Sequence, residues 1–175
     1  MPAKASAPCS KSAAPTSAAS EISSLSMEPA TPGAPADPLA AVRARAGENL
    51  YWRYLGVEVD DAKPGWIRLR VEVRDELRNA AGAPVHGGVM SALVDMAVGG
   101  ALGTLIESSA GGVGQTTLDL NVSFLAAATT GPIFAEGRIL RRGRSVAFGE
   151  ASITDATGRL CAVGRATYMI LARSA

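Results

Sequence analysis

A chain of 175 residues has room for one ordinary domain with its own hydrophobic core. With 47% hydrophobic and 19% charged residues and a formal net charge of +1, it lacks the cationic excess of a protein that binds nucleic acid by counterion release. Its two cysteines, Cys9 and Cys161, fall in unrelated contexts, so neither a disulfide framework nor a metal site is expected, and a reducing, cytoplasmic setting fits.

Residues 1–36 are Ala-, Ser- and Pro-rich without apolar period or strand alternation, and read as a disordered tail ahead of a domain spanning 37–175. No apolar run follows Lys4, so a secretory signal is not expected. The Ser-rich, acid-poor composition leaves a transit peptide open, and Met27 stands as an alternative start. Asp37-Pro38 then has the form of an N-cap followed by proline in the first turn. Leu39, Val42, Ala46, Leu50 and Tyr54 recur at helical spacing, which predicts one amphipathic helix ending near Leu55-Gly56, suited to cover a sheet edge or close a pocket. Next, Ile67, Leu69, Val71 and Val73 alternate with Arg68, Arg70, Glu72 and Arg74, a strand with one buried and one wet face. Val57–Asp61 is its expected hairpin partner across the Lys63-Pro64-Gly65 turn, and Asn79–Val85 is loop.

Val85–Ile106, VHGGVMSALVDMAVGGALGTLI, is an almost unbroken apolar helix pattern holding one carboxylate, Asp95. Asp95, His86 and the glycines argue against a membrane span. Burying an unpaired carboxylate costs several kcal/mol, so Asp95 has to be paired, exposed in a cleft or chemically employed. A helix apolar on nearly every side needs cover on nearly every side: a sheet on one flank and, we expect, something outside the chain on the other. Its small residues, among them Gly88, Gly99, Gly100 and Gly103, are expected to let sheet or partner backbone approach.

Ser108–Gly114 is a glycine-rich break, and Gly111-Gly-Val-Gly114 follows a helix and precedes a strand, the reverse of a dinucleotide-binding context. Four strands follow: Thr117–Phe124, Ile133–Leu140, Val146–Thr154 and Leu160–Leu171. Their short links, Ala128–Pro132, Arg142-Gly143 and Asp155–Gly158, predict an antiparallel meander. The parts list is α+β, a curved antiparallel sheet around a long apolar helix.

This order of elements resembles the hotdog-fold acyl-CoA thioesterases of the phenylacetate-degradation, PaaI-like branch. The likeness spans roughly residues 45–171 and rests on His86-Gly87-Gly88 with Asp95 nine residues after the histidine, the T-T-L-D-L-N strand and the R-R-G-R-S turn. It implies a substrate that is an acyl-CoA thioester, aryl or medium-chain, with CoA entering as part of the substrate and no resident cofactor. It further implies that Asp95 is the catalytic carboxylate, as base or nucleophile. Gly87 supplies the N–H that polarises the thioester carbonyl, with Gly88 beside it and His86 shaping the turn, and Thr117 falls where relatives place a water-positioning Ser or Thr. Asn79 resembles the family's upstream amide but stands seven residues before the histidine instead of six. Arg138, Arg141, Arg142 and Arg144 gather at one hairpin, and the turn Arg141, Arg142, Gly143, Arg144 and Ser145 is where the family meets the CoA nucleotide.

The physical chemistry agrees with those roles. Hydrolysis needs a nucleophilic oxygen and donors for the oxyanion, and a helix N-terminus offers free N–H groups with a favourable dipole. Eight residues of helix at 1.5 Å rise separate Gly87 from Asp95 by about 12 Å, whereas the reacting carbon must lie roughly 3 Å from both. One chain therefore cannot supply both groups, and an antiparallel pairing of two central helices in a homodimer would, with a dimer of dimers (homotetramer) as an extension. Two rivals share the pocket: a non-catalytic acyl-CoA-binding hotdog module, and a hotdog dehydratase or hydratase, which would need a histidine paired with an acid where the sole histidine belongs to H-G-G.

Overall fold

The computed structural model describes residues 35–106 and 114–171. The expected disordered tail, apart from its last two residues, and the glycine-rich break before Gly114 lie outside the described residues. In chain order the elements are α1 (Pro38–Glu48), α2 (Leu50–Leu55), β1 (Val57–Lys63), β2 (Trp66–Val71), a short 3-10 turn at Asp75–Leu77, α3 (Gly87–Gly103), β3 (Gln115–Phe124), β4 (Ile133–Arg142), β5 (Val146–Thr154) and β6 (Leu160–Ile170). This is the hotdog fold, a six-stranded antiparallel sheet with α3 lying against one face.

The single N-terminal helix expected from periodicity is two. Asp37 caps α1, its Oδ1 accepting from Ala40 N–H at 3.0 Å. Asn49 breaks the helix with extended backbone and starts α2, its Oδ1 accepting from the N–H groups of Tyr51 and Trp52 at 3.0 and 3.1 Å. An asparagine that can satisfy two orphan donors favours the cap over continued helix. Gly56, at φ 72°, ends α2 in the left-handed conformation glycine adopts freely.

The predicted meander is also corrected. The sheet order is β1-β2-β4-β5-β6-β3, so β3 forms no hairpin with β4 but crosses to the far edge and pairs with β6. The connecting segment runs past the sheet end, where Leu125 N–H donates to Cys161 O at 2.8 Å and Ala128 O accepts from Val85 N–H at 2.8 Å. That second bond ties the crossover to the start of α3. The β5–β6 and β4–β5 hairpins form as expected.

Within the chain, the glycines that let helix and sheet approach closely sit in the strands. A Cβ on Gly137 would stand 2.2 Å from Ala97 O, one on Gly149 2.5 Å from Val98 Cγ1, and one on Gly164 2.7 Å from Val94 Cγ1. These three, on β4, β5 and β6, form the trough in which α3 rests. The helix glycines instead make room for side chains: Gly99 for the Tyr168 hydroxyl, Gly100 for Ile67 and Trp52, Gly103 for Arg45.

Cover on the second flank comes partly from the chain itself, because Val42, Arg45 and Trp52 of α1 and α2 lie over the C-terminal half of α3. The N-terminal half stays partly open along Gly88, Ser91, Ala92 and Asp95, one helical stripe. Beside it runs β3, the edge strand. Leu120, Val122 and Phe124 pair across the ladder with the inward Ala166, Gly164 and Ala162, so they share the α3 side of the sheet. Yet Leu120 is 39% and Phe124 53% exposed, and Leu118 beside them 52%. No helix among the described residues is long and apolar enough to cross a membrane.

Candidate active site

Asp95 sits mid-way along α3, half-buried, at the wall of a cavity of about 580 Å³. The cavity lies between α1, α2, α3 and the first residues of β3. Its α3 side runs through Met96, Gly99, Gly100 and Gly103, and Trp52 and Tyr168 are among its other walls.

Two hydroxyls converge on one oxygen of the acid. Thr117 Oγ1 donates to Asp95 Oδ1 at 2.8 Å. The Tyr168 hydroxyl also donates to Asp95, with Oδ1 2.6 Å and the Asp95 carbonyl oxygen 2.7 Å away. Asp95 Oδ2 takes no hydrogen bond from the described residues. β3 and β6 place these groups together because Thr117 and Tyr168 are register partners across the sheet. The register shifts just after Thr117, a bulge that lets Thr117 face inward while Asp119, Asn121 and Ser123 face out. Burial and the neighbouring Asp95 carboxylate push the Tyr168 phenol well above its ordinary value.

At the other end of the expected constellation, His86 is the N-cap of α3. Its Nδ1 accepts from Gly88 N–H at 2.8 Å, which takes Gly88's donor out of play. Gly87 N–H, by contrast, finds no acceptor among the described residues, and the Phe124 ring lies where a Gly87 Cβ would touch it at 3.4 Å. Gly87 is separated from Asp95 of its own chain by about 12 Å of helix. The structure does not bring them together within one chain. Asn79 is exposed, its amide donating to Pro84 O at 3.3 Å while its N–H bonds the same carbonyl, and it does not line the cavity.

The arginine cluster divides. Arg138 turns to the outer sheet face and pairs with Glu150. Arg141 and Arg142 end β4, Gly143 N–H donates to Val146 O at 2.8 Å, and Ser145 O accepts from Ile170 N–H at 2.8 Å. That bond sets the turn two residues along β6 from Tyr168. Arg141, Arg142 and Arg144 have no carboxylate partner among the described residues, and Arg142 Nε is buried without an acceptor there.

Sequence reasoning missed Tyr168 and Arg45. Arg45 closes the far end of α3, donating to Gly103 O at 2.6 Å and Ile106 O at 3.3 Å, and burial lowers its guanidinium's pKa. Only the inward phase of β6 could have singled out Tyr168. Among the described residues no cluster of three His, Cys, Asp or Glu side chains could hold a metal.

Asp95 thus stands as a carboxylate with one open oxygen on the central helix of a hotdog sheet. Residues 84–162 match the family model described as Thioesterase superfamily. A Halobacterium salinarum protein named "Putative esterase VNG_1336C" is 32% identical over 142 residues, covering 77% of this chain and 93% of the relative. The crystal structure of zebrafish thioesterase superfamily member 2 superposes with a TM-score of 0.63 at 32% identity, covering 76% of this chain and 95% of that one. The Escherichia coli PaaI protein of the phenylacetic acid degradation operon superposes at 0.68 over 77% of this chain and 94% of its own, but at 16% identity it shares the fold alone. The chain belongs to the thioesterase superfamily.

Proposed function

We propose that the protein hydrolyses acyl-CoA thioesters, with aryl or medium-chain acyl groups, to the free acid and CoA, as a PaaI-like member of its superfamily. The observation that carries this reading is Asp95 at the cavity wall, with Oδ1 engaged by Thr117 and Tyr168 and Oδ2 left open. Acting as base, Oδ2 takes a proton from water as the water oxygen bonds to the thioester carbon; the C–S bond then breaks and the proton passes to the CoA sulfur. Acting as nucleophile, the same oxygen attacks the carbon, the C–S bond breaks to release the CoA thiolate, and water then cleaves the resulting anhydride to the free acid and the Asp95 carboxylate, its remaining proton going to the thiolate.

The developing oxyanion is met by Gly87 N–H of a second copy. The 12 Å helical separation, of order set by the rise per residue, supports this, as do the open stripe on α3 and the uncovered apolar row of β3. Two copies joined along β3 would cover Leu118, Leu120 and Phe124 and bring each Asp95 toward the other chain's α3 N-terminus. The unpaired guanidiniums of Arg141, Arg142 and Arg144, with the Gly143 and Ser145 backbone, suit the phosphates of CoA. The setting is cytoplasmic, and CoA is the only cofactor-like group involved. A dehydratase reading loses support because His86 spends Nδ1 on the helix cap.

The test is CoA thiol release from a panel of aryl- and alkyl-CoA esters. Wild type should turn over at least one class, and Asp95→Asn should lose about 100-fold or more in kcat, the usual worth of a general base or nucleophile. Binding of several esters without turnover by wild type would instead identify an acyl-CoA-binding module, and full activity in Asp95→Asn would remove Asp95 from the site.

A further inference from the structure

The hydroxyl of Tyr168 stands in space that exists because residue 99 is glycine. A Cβ at that position would lie 2.7 Å from the Tyr168 hydroxyl oxygen, 3.0 Å from Cζ and 3.1 Å from Gln115 Nε2. Real Cβ atoms do not approach so closely. Gln115, whose Nε2 donates to Gly99 O at 2.7 Å, fills the niche's other side. The ring itself is 5% exposed, wedged between β3 and the helix, so the phenol has almost no freedom to rotate away. From this position one hydroxyl reaches both the carbonyl and the carboxylate of Asp95. A donor shared between a residue's backbone and its side chain fixes the side-chain torsions, and two donors on Oδ1 present Oδ2 to the cavity.

We propose that Tyr168, seated in the Gly99 niche, is the positioning residue for Asp95, holding its carboxylate turned so that Oδ2 meets the substrate. The proposal rests on the reading of Asp95 as the reactive acid. Tyr168 touches no reacting atom; it acts through Asp95. The other ionisable groups lining the cavity are Arg45 and Glu48 of α1, while β3 contributes only uncharged Gln115, Thr116 and Thr117. Arg45 is the one cation among these lining residues, and it donates to Gly103 O and Ile106 O at the far end of α3.

Tyr168→Phe keeps the ring and removes the hydroxyl. Its loss should show in turnover and not in binding, because the hydroxyl orients Asp95 and meets no part of the substrate. The kcat should fall about 10- to 100-fold with KM within about twofold, as misplacement of a reactive group predicts. Gly99→Ala displaces the hydroxyl without touching Asp95 and should lower kcat with KM held in the same way. The double variant should resemble Tyr168→Phe alone, since the two changes remove one interaction.

A folded Tyr168→Phe enzyme with unchanged kcat, or with its loss confined to KM, would overturn the proposal while leaving the hydrolase reading intact; a wild type that hydrolyses no thioester would count against that reading instead. One measurement needs no turnover. The chain's three tyrosines are Tyr51, Tyr54 and Tyr168, and only Tyr168 is buried. The tyrosinate absorbance step of Tyr168, the third tyrosine, is raised in wild type by burial and by Asp95, and Asp95→Asn should bring this third step to lower pH. An identical third step in both proteins would overturn the pairing.

Discussion

At the scale of single residues, the chain puts polar groups where an apolar helix would exclude them, and each is matched to a donor or acceptor. His86 is the clearest case. Its Nδ1 occupies the first-turn position usually served by an oxygen, binding Gly88 N–H and leaving Gly87 N–H as the turn's open donor. His86→Ala should therefore lower unfolding stability by about 1 kcal/mol, read by urea denaturation, with His86→Asn restoring most of it because asparagine is a good N-cap. Asp95 was legible from sequence because a lone acid in a run of Val, Met, Ala and Gly contradicts its surroundings. Tyr168 was not, since a tyrosine in an alternating strand is ordinary there and its bond to Asp95 spans 73 residues.

At the scale of elements, the contact that holds the site is α3 in its trough of strand glycines. The 2.2 Å approach of a Gly137 Cβ to the Ala97 carbonyl involves backbone on the helix side, which cannot swing aside. Gly137→Ala should destabilise the fold by more than about 2 kcal/mol, at the upper part of the overpacking range, seen as a lower urea midpoint. Gly47→Ala is the control: it lies in α1 with nothing within 4 Å of its Cβ and should be neutral or stabilising by up to about 1 kcal/mol. Strand existence and both hairpins of β4, β5 and β6 were legible from alternation and turn chemistry. The crossing of β3 was not, because a link of this length serves a wide hairpin and a crossing past β5 and β6 equally well. The break at Asn49 was hidden for a different reason: the apolar period runs on through it, and only the cap geometry reveals the stop.

At the scale of the whole molecule, the proposed function makes each chain's site half of a shared one. Asp95 and Gly87 N–H sit at separate places on one rigid helix, beside an edge strand whose apolar row is uncovered. Two inactive variants, Asp95→Asn and Gly87→Val, should complement each other. After subunit exchange, half the dimers are mixed and each mixed dimer has one intact site, so activity should return to roughly one quarter of wild type under two-fold symmetry. Thiol release after mixing, with exchange verified by mass-tagged subunits, measures this. Demonstrated exchange without recovery would refute the shared site.

What the sequence by itself determined is local and periodic: a long apolar helix with one anomalous acid, a glycine-rich helix start behind a histidine, and strands alternating toward one core. Those signals survive in one dimension because helix and strand repeat every 3.6 and 2 residues. The tertiary structure decided what depends on contacts between distant segments. It chose β6 as the partner of β3, set the strand glycines beneath α3, and brought Thr117 and Tyr168 onto the same oxygen of Asp95. Register, close approach and shared hydrogen bonds join residues tens of positions apart, and no spacing along the chain encodes them.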